Sequence, residues 1–223
     1  AYIPNGIDYK SFIQRYHELK DDSSQPAIAL LRKLRSRGYF ILLFSGAVNI
    51  SNNIELLIET AEKLNERGEK EIKIIIAGTG QERNRYEYII RTKKLKNIEI
   101  VDPVQKKFVP VLLSLADGLL LIQGNVRWGS MNKLFDYLAS GKPIISALEA
   151  SHNNPLTVIG SPLNVNDLTA VELANKIVEL KQMPPEKLKV LEEKSVQIVR
   201  EEHDIEILAE KYKSLIEELI EKS

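Results

Sequence analysis

Hydrophobic residues along this chain fall into two alternating patterns: short unbroken runs and longer stripes at helical spacing. The succession predicts repeated βα units. The runs occupy 39–44, 72–77, 98–101, 118–122 and 143–147. None alternates cleanly between apolar and polar positions, which is expected of parallel strands covered by helices on both faces. Between them, Ile54, Leu57, Ile58, Ala61 and Leu64 form one stripe, Tyr86, Ile89 and Ile90 begin a second, and Phe108, Val111, Leu112 and Leu115 supply a third.

The ends of the chain are less regular. Segments 11–19 and 26–37 each predict a helix, with Asp21-Asp22-Ser23-Ser24 as a polar link, and Arg32, Lys33, Arg35 and Arg37 read as a solvated helix face. After the fifth run, 149–162 is rich in Asn, Ser, Pro and Gly and reads as a loop, while Leu163-Asn164-Val165 predicts a short sixth strand. Thr169 and Glu172 stand at capping-box spacing ahead of Leu173, Ile177 and Leu180; Pro184-Pro185 ends that helix and starts another near Pro185 or Glu186. The tail, 204–222, puts Ile205, Leu208, Tyr212, Leu215, Ile216 and Leu219 on one face, and that stripe needs a partner surface. The fold class is therefore α/β, a three-layer domain of Rossmann type with a parallel sheet of about six strands.

Composition narrows the function. With 223 residues the chain can bury a substantial core, as one large domain or two small ones. Lys plus Arg equals Asp plus Glu at 31 each, so there is no overall positive field to hold a polynucleotide or an acidic membrane, and nucleic acid is not the expected partner. The absence of cysteine excludes disulfides, thiolate metal sites and cysteine nucleophiles, and it suits a reducing compartment. His17, His152 and His203 are too scattered to suggest a metal centre. No apolar run approaches the roughly 20 residues that span a bilayer, and none resembles a secretion signal. The chain opens at Ala1, without an initiator methionine, and reads as a piece of a longer protein.

The candidate chemistry lies in the loops after the strands, because ligands of open α/β sheets bind at that edge. The richest stretch is Val126-Arg127-Trp128-Gly129-Ser130-Met131-Asn132-Lys133-Leu134-Phe135-Asp136, which follows the fourth strand. There Gly129-Ser130 leads into a helix starting near Met131 or Asn132. Lys133 in its first turn suits a phosphate counterion, and Asp136, one turn on, suits a pair of ribose hydroxyls. The alternative is that Lys133 and Asp136 pair only with each other at spacing three. Ala77-Gly78-Thr79-Gly80-Gln81-Glu82 runs from the second strand through a glycine turn into a helix whose N–H groups favour an anion, although its two glycines fall short of a dinucleotide fingerprint. Gly46 ends the first strand in the same way, and Asp102-Pro103-Val104-Gln105 after the third offers backbone groups to the edge of a base. Each of these is also readable as a plain turn; together they make one site. Trp128 suits either a sugar or an apolar patch.

These residues resemble the carboxyl-terminal half of a glycosyltransferase with the two-Rossmann-domain architecture called GT-B. The similarity is greatest to the family-four enzymes that build bacterial and archaeal surface polysaccharides. It is carried by Ile3-Pro4-Asn5-Gly6-Ile7-Asp8, by Phe44-Ser45-Gly46, by Ala77 to Glu82, by Leu115-Ala116-Asp117 and above all by the segment from Gly129 to Pro143. The resemblance implies a division into 1–38 as interdomain linker and entry helices, 39–203 as the donor-binding domain and 204–223 as a helix crossing back to an absent amino-terminal acceptor domain. It places Gly46, Gly78, Gly80 and Gln81 near the diphosphate and distal sugar, Val104 at the base, Gly129, Ser130 and Met131 at the sugar or phosphate, and Asp136 at the ribose. Lys133 and Arg127 become the cations that stabilise the departing diphosphate without an obligatory metal ion.

Two departures stand out. Many members carry two glutamates where this chain has Trp128 and Asp136, and many carry a lysine in the first turn of the helix following Gly46 where this chain has Asn52-Asn53. Arg127 is the expected substitute for that missing charge. The implied function is transfer of a hexose or N-acetylhexosamine, with retention, from a uridine or guanosine diphosphate sugar to a glycan or lipid-linked acceptor. This half alone is expected to bind nucleotide and to be inactive in transfer. A nucleotide-sugar epimerase of the same architecture and a noncatalytic binding subunit are the alternatives. The expected location is the cytoplasm, with the full-length protein peripheral to the inner membrane face. The isolated piece is expected to dimerise through the tail stripe or the open cleft edge.

Overall fold

The computed structural model describes residues 4–124, 132–147, 156, 163–165 and 167–221. Its centre is a five-stranded sheet of β1 (Phe40–Ser45), β2 (Ile72–Ala77), β3 (Ile98–Val101), β4 (Gly118–Ile122) and β5 (Ile144–Ala147), ordered β3-β2-β1-β4-β5. All four pairings are parallel; Leu42 of β1, for example, lies beside Ile74 of β2 and Gly118 of β4. Strand order reverses between β1 and β4, and it is beside such a switch point, at the carboxyl ends of the strands, that sheets of this kind take ligands.

The unbroken apolar runs become fully covered strands. Ile41, Leu42, Leu43 and Phe44 expose nothing, and neither do Leu119, Leu120 and Leu121. Each such side chain contributes roughly 1.5–3 kcal/mol by leaving water. One face is covered by α3 (Ile54–Glu66), α4 (Arg83–Thr92) and α7 (Ala170–Lys181); the other by α2 (Pro26–Ser36), α5 (Val109–Ser114) and α6 (Asn132–Ala139), with α1 (Tyr9–Leu19) and α8 (Pro185–Ile198) packed on α5 and α6. Local chemistry sets the helix starts. Asp8 caps α1 by accepting from the Ser11 amide and hydroxyl, Thr169 caps α7 by accepting from the Glu172 amide at 3.2 Å, and Pro185 opens α8. Asn53 adopts the left-handed conformation just before α3, which its short polar side chain tolerates.

The expected sixth strand is corrected to a single bridge. Ser146 of β5 donates to Leu163 O and accepts from Val165 N, and the parallel pairing at Asn164 extends no further. Leu163 and Val165 are buried, which produced the strand-like pattern, but the chain turns at Asp167 into the α7 cap before more residues can pair.

Where the described chain begins and where it leaves α8, two segments form a strap. A π-helical turn, Val199–His203, leads to α9 (Ile205–Glu221), and Ile7 donates to His203 O while accepting from Ile205 N. Gly6 is required there, since a Cβ would overlap His203 O and the Leu208 side chain. Of the tail stripe only Leu208 is buried; Tyr212 and Ile216 are each more than half exposed. Among the described residues no helix is long and apolar enough to cross a membrane.

Candidate functional site

At the carboxyl edge the loops after β1 and β2 lock onto each other and onto the end of β3 through backbone groups. Gly46 N donates to Ala77 O, Val48 N to Thr79 O, Gly78 N to Val101 O and Glu82 N to Val48 O. The glycines make this possible: a Cβ on Gly78 would overlap Gly46 O, and one on Gly80 would overlap Val48 O. Gln81 lies exposed beside them, and Arg83 at the head of α4 ties down the next loop by bonding Gly78 O, Glu87 and Asp102. Val104, in that loop, is half-buried against the core.

Helix α6 crosses over this edge because Tyr137 anchors it. The tyrosine is fully buried, and its hydroxyl accepts from Ser45 N at 2.8 Å at the end of β1, so burial raises its pKa. One turn earlier, Lys133 projects onto the loop after β1. Its Nζ donates to Asn52 Oδ1 at 3.0 Å, stands 4.3 Å from the Phe44 ring centre and fills the space a Cβ on Gly46 would enter. Among the described residues no carboxylate lies within 4 Å of it, and burial alone pushes its pKa down to about 8. Lys133 and Asp136 therefore do not pair with each other.

Asp136 turns instead toward a hollow of about 450 Å³ walled by the 5–8 strap, Phe12 and Arg15 of α1, Lys106, and Asn132 and Phe135 of α6. Burial raises the carboxyl pKa, and Lys106 and Arg15 partly offset the rise. The hollow and the Lys133 cradle meet at the first turn of α6. His203 seals the far side of the strap, its Nδ1 3.2 Å from Asn5 O and its ring 4.9 Å from that of Phe135.

The structure thus brings Gly46, Gly78, Gly80 and Lys133 together and sets Asp136 one turn away, over a separate hollow that Lys106 links to the loop of Val104. Arg127, Trp128, Gly129, Ser130, Met131 and His152 lie outside the described residues. Sequence reasoning missed Tyr137, Arg15 and Lys106, and it noted Asn52 only as a departure. A tyrosine within an apolar helix stripe signals a buried hydroxyl that must find a partner, so Tyr137 was within reach. Arg15 and Lys106 come from distant segments, and nothing local marks them. Among the described residues no group of three or more His, Asp or Glu is placed to hold a metal ion.

Residues 39–182 match the family model described as "Glycosyl transferases group 1". No curated protein sequence matches the chain. Similar solved structures include a glycosyltransferase from Rickettsia africae at 17% identity and TM-score 0.73, covering 100% of this chain and 58% of that one. HepE of Anabaena in complex with UDP is similar at 14% identity and TM-score 0.72, over 98% of this chain and 57% of its own. TarM of S. aureus, in a complex that includes UDP, is similar at 18% identity and TM-score 0.63, over 79% of this chain and 35% of its own. At these identities the likeness establishes the fold. The chain spans between about a third and three fifths of the length of these proteins.

Proposed function

This chain belongs to the group 1 glycosyl transferases, and on that premise we propose that it is the nucleotide-sugar-binding, carboxyl-terminal half of a GT-B enzyme. The observation that carries the reading is the ammonium of Lys133, which no carboxylate among the described residues neutralises. It is held at the switch point of the sheet beside two interlocked glycine loops, one helical turn from a carboxylate that lines a hollow. A nucleoside diphosphate offers matching groups: phosphates for Lys133 and the loop amides, ribose hydroxyls for Asp136, and a base for the hollow beside Lys106 and Val104. HepE and TarM, each crystallised with UDP, make a uridine nucleotide the first donor to try.

In sugar transfer the bond from the anomeric carbon to the donor phosphate breaks, and negative charge grows on the leaving diphosphate. A preoriented cation in a partly buried cradle stabilises that charge with little reorganisation. Lys133 supplies it, with Arg127 as the second cation and Gly129, Ser130 and Met131 nearest the sugar. The sugar is a hexose or N-acetylhexosamine, transferred with retention and without an obligatory metal to a glycan or lipid-linked acceptor. That acceptor is bound by a separate amino-terminal half, in the cytoplasm or at the inner membrane face. The strap is where the two halves would join, and α9 is the segment that would return to the first. Cut from it, the chain would self-associate through the exposed stripe of α9.

Calorimetric titration of the 223-residue chain with UDP, GDP and uridine tests the reading. Saturable binding of one diphosphate is expected, tighter than that of the bare nucleoside. If neither diphosphate binds, the donor-site assignment is wrong.

A further inference from the structure

The Asn52 amide bridges the Lys133 ammonium and the loop after β1. Its Oδ1 accepts from Lys133 Nζ at 3.0 Å and its Nδ2 donates to Ala47 O at 2.8 Å, while its own N–H bonds Asn49 Oδ1 at 3.0 Å. Only one amide orientation satisfies both partners, because the ammonium only donates and the carbonyl only accepts. The residue therefore holds the amine without neutralising it. A carboxylate at this position would hold it as well and cancel its charge; an aliphatic side chain would leave the charge and release the amine.

Resting on the donor-site reading above, we propose that Asn52 is a positioning residue. It fixes Lys133 over Gly46 with the positive charge left uncompensated, so that the charge is met by the diphosphate of the donor. The surroundings agree. The Phe44 ring takes one side of the amine, and the missing Cβ of Gly46 makes room for it. Among the described residues, the charged and titratable groups on the neighbouring elements are engaged elsewhere: Tyr137 with Ser45, Glu55 and Glu82 with Arg85, Arg83 with Glu87 and Asp102, and Asp136 facing the strap hollow. Burial brings Lys133 down to about 8, so at pH 8.5 much of the amine is neutral. A bound diphosphate, fully ionised there because its last pKa is about 6, would draw a proton back onto it.

The test is calorimetry of UDP and uridine at pH 7 and 8.5, in buffers of differing ionisation enthalpy, with melting curves for every variant. The wild-type chain should take up protons on binding UDP at pH 8.5 and none on binding uridine. Asn52→Asp should weaken UDP about tenfold or more, leave uridine unchanged and abolish the uptake, since the paired lysine stays protonated. Asn52→Leu, which introduces no charge and serves if Asn52→Asp melts, should weaken UDP several-fold and spare uridine. Lys133→Met should remove the uptake. Unchanged UDP affinity in whichever of the two Asn52 variants remains folded, equal loss of UDP and uridine, or proton uptake surviving in Lys133→Met would each overturn the proposal. All three presuppose a wild-type chain that binds UDP; if it binds none, it is the donor-site reading that has failed.

Discussion

At the scale of single residues, Lys133 and Asp136 are both charged groups placed where burial opposes their charge. Such groups persist at a cost to stability, which makes them measurable in the ligand-free protein. For Lys133 the unfolded pKa of 10.5 falls to about 8 on folding. Between these values the unfolded chain binds more protons than the folded one, so stability rises with pH across that window. Lys133→Met should abolish this part of the rise and stabilise the ligand-free chain at pH 7 by on the order of 3 kcal/mol, read from urea melts at pH 7 and 9.5. Asp136 has the opposite sign: its raised folded pKa stabilises the fold at low pH and costs stability once the carboxyl ionises. Asp136→Asn should therefore raise the melting temperature at pH 7, yet weaken uridine and UDP by a similar factor of about ten, separating a ribose contact from a phosphate contact. A lower melting temperature, or selective loss of UDP, would contradict that role. Both residues were legible as candidates from their place in the helix after β4. Their separation, Lys133 onto the loop after β1 and Asp136 over the strap hollow, was not, because it depends on Asn52 and Arg15, which lie 81 and 121 positions upstream of their respective partners.

At the scale of elements, the site depends on how α6 is seated on β1. Tyr137 is the seat, and Tyr137→Phe would leave the Ser45 amide without its partner. The expected loss is roughly 1–3 kcal/mol in denaturant unfolding, with weaker UDP binding as Lys133 shifts. An unchanged midpoint would mean that packing alone holds the helix. Gly78→Ala should cost more, since the new methyl group would overlap backbone rather than a movable side chain. The elements themselves were well marked in the chain. The runs at 72–77, 98–101 and 118–122 are the strands β2, β3 and β4, and Thr169 caps α7 as its spacing to Glu172 implies. Leu163-Asn164-Val165 misled because burial and strand pairing leave the same apolar imprint on three residues.

At the scale of the whole molecule, the strap of Ile7 and Asp204 gathers the start of the described chain and the start of α9 to one place. Beyond it α9 shows Tyr212 and Ile216 to solvent. Charging that face with Tyr212→Glu and Ile216→Glu should shift concentrated samples toward monomer in sedimentation velocity and leave the melting temperature within a degree or two, as is usual for exposed sites. Persistent association would place the contact elsewhere.

The amino-acid sequence by itself determined the α/β class, the positions of the five strands and the edge on which the candidate residues collect, because hydrophobic period and glycine placement are local properties. Only the tertiary structure decided that Gly78 and Gly80 serve loop-to-loop packing, that Asn52 holds Lys133, and that Asp136 faces the strap. Those relations join segments far apart in the chain, and they arise from where the parallel sheet brings its loop ends, which no local pattern records.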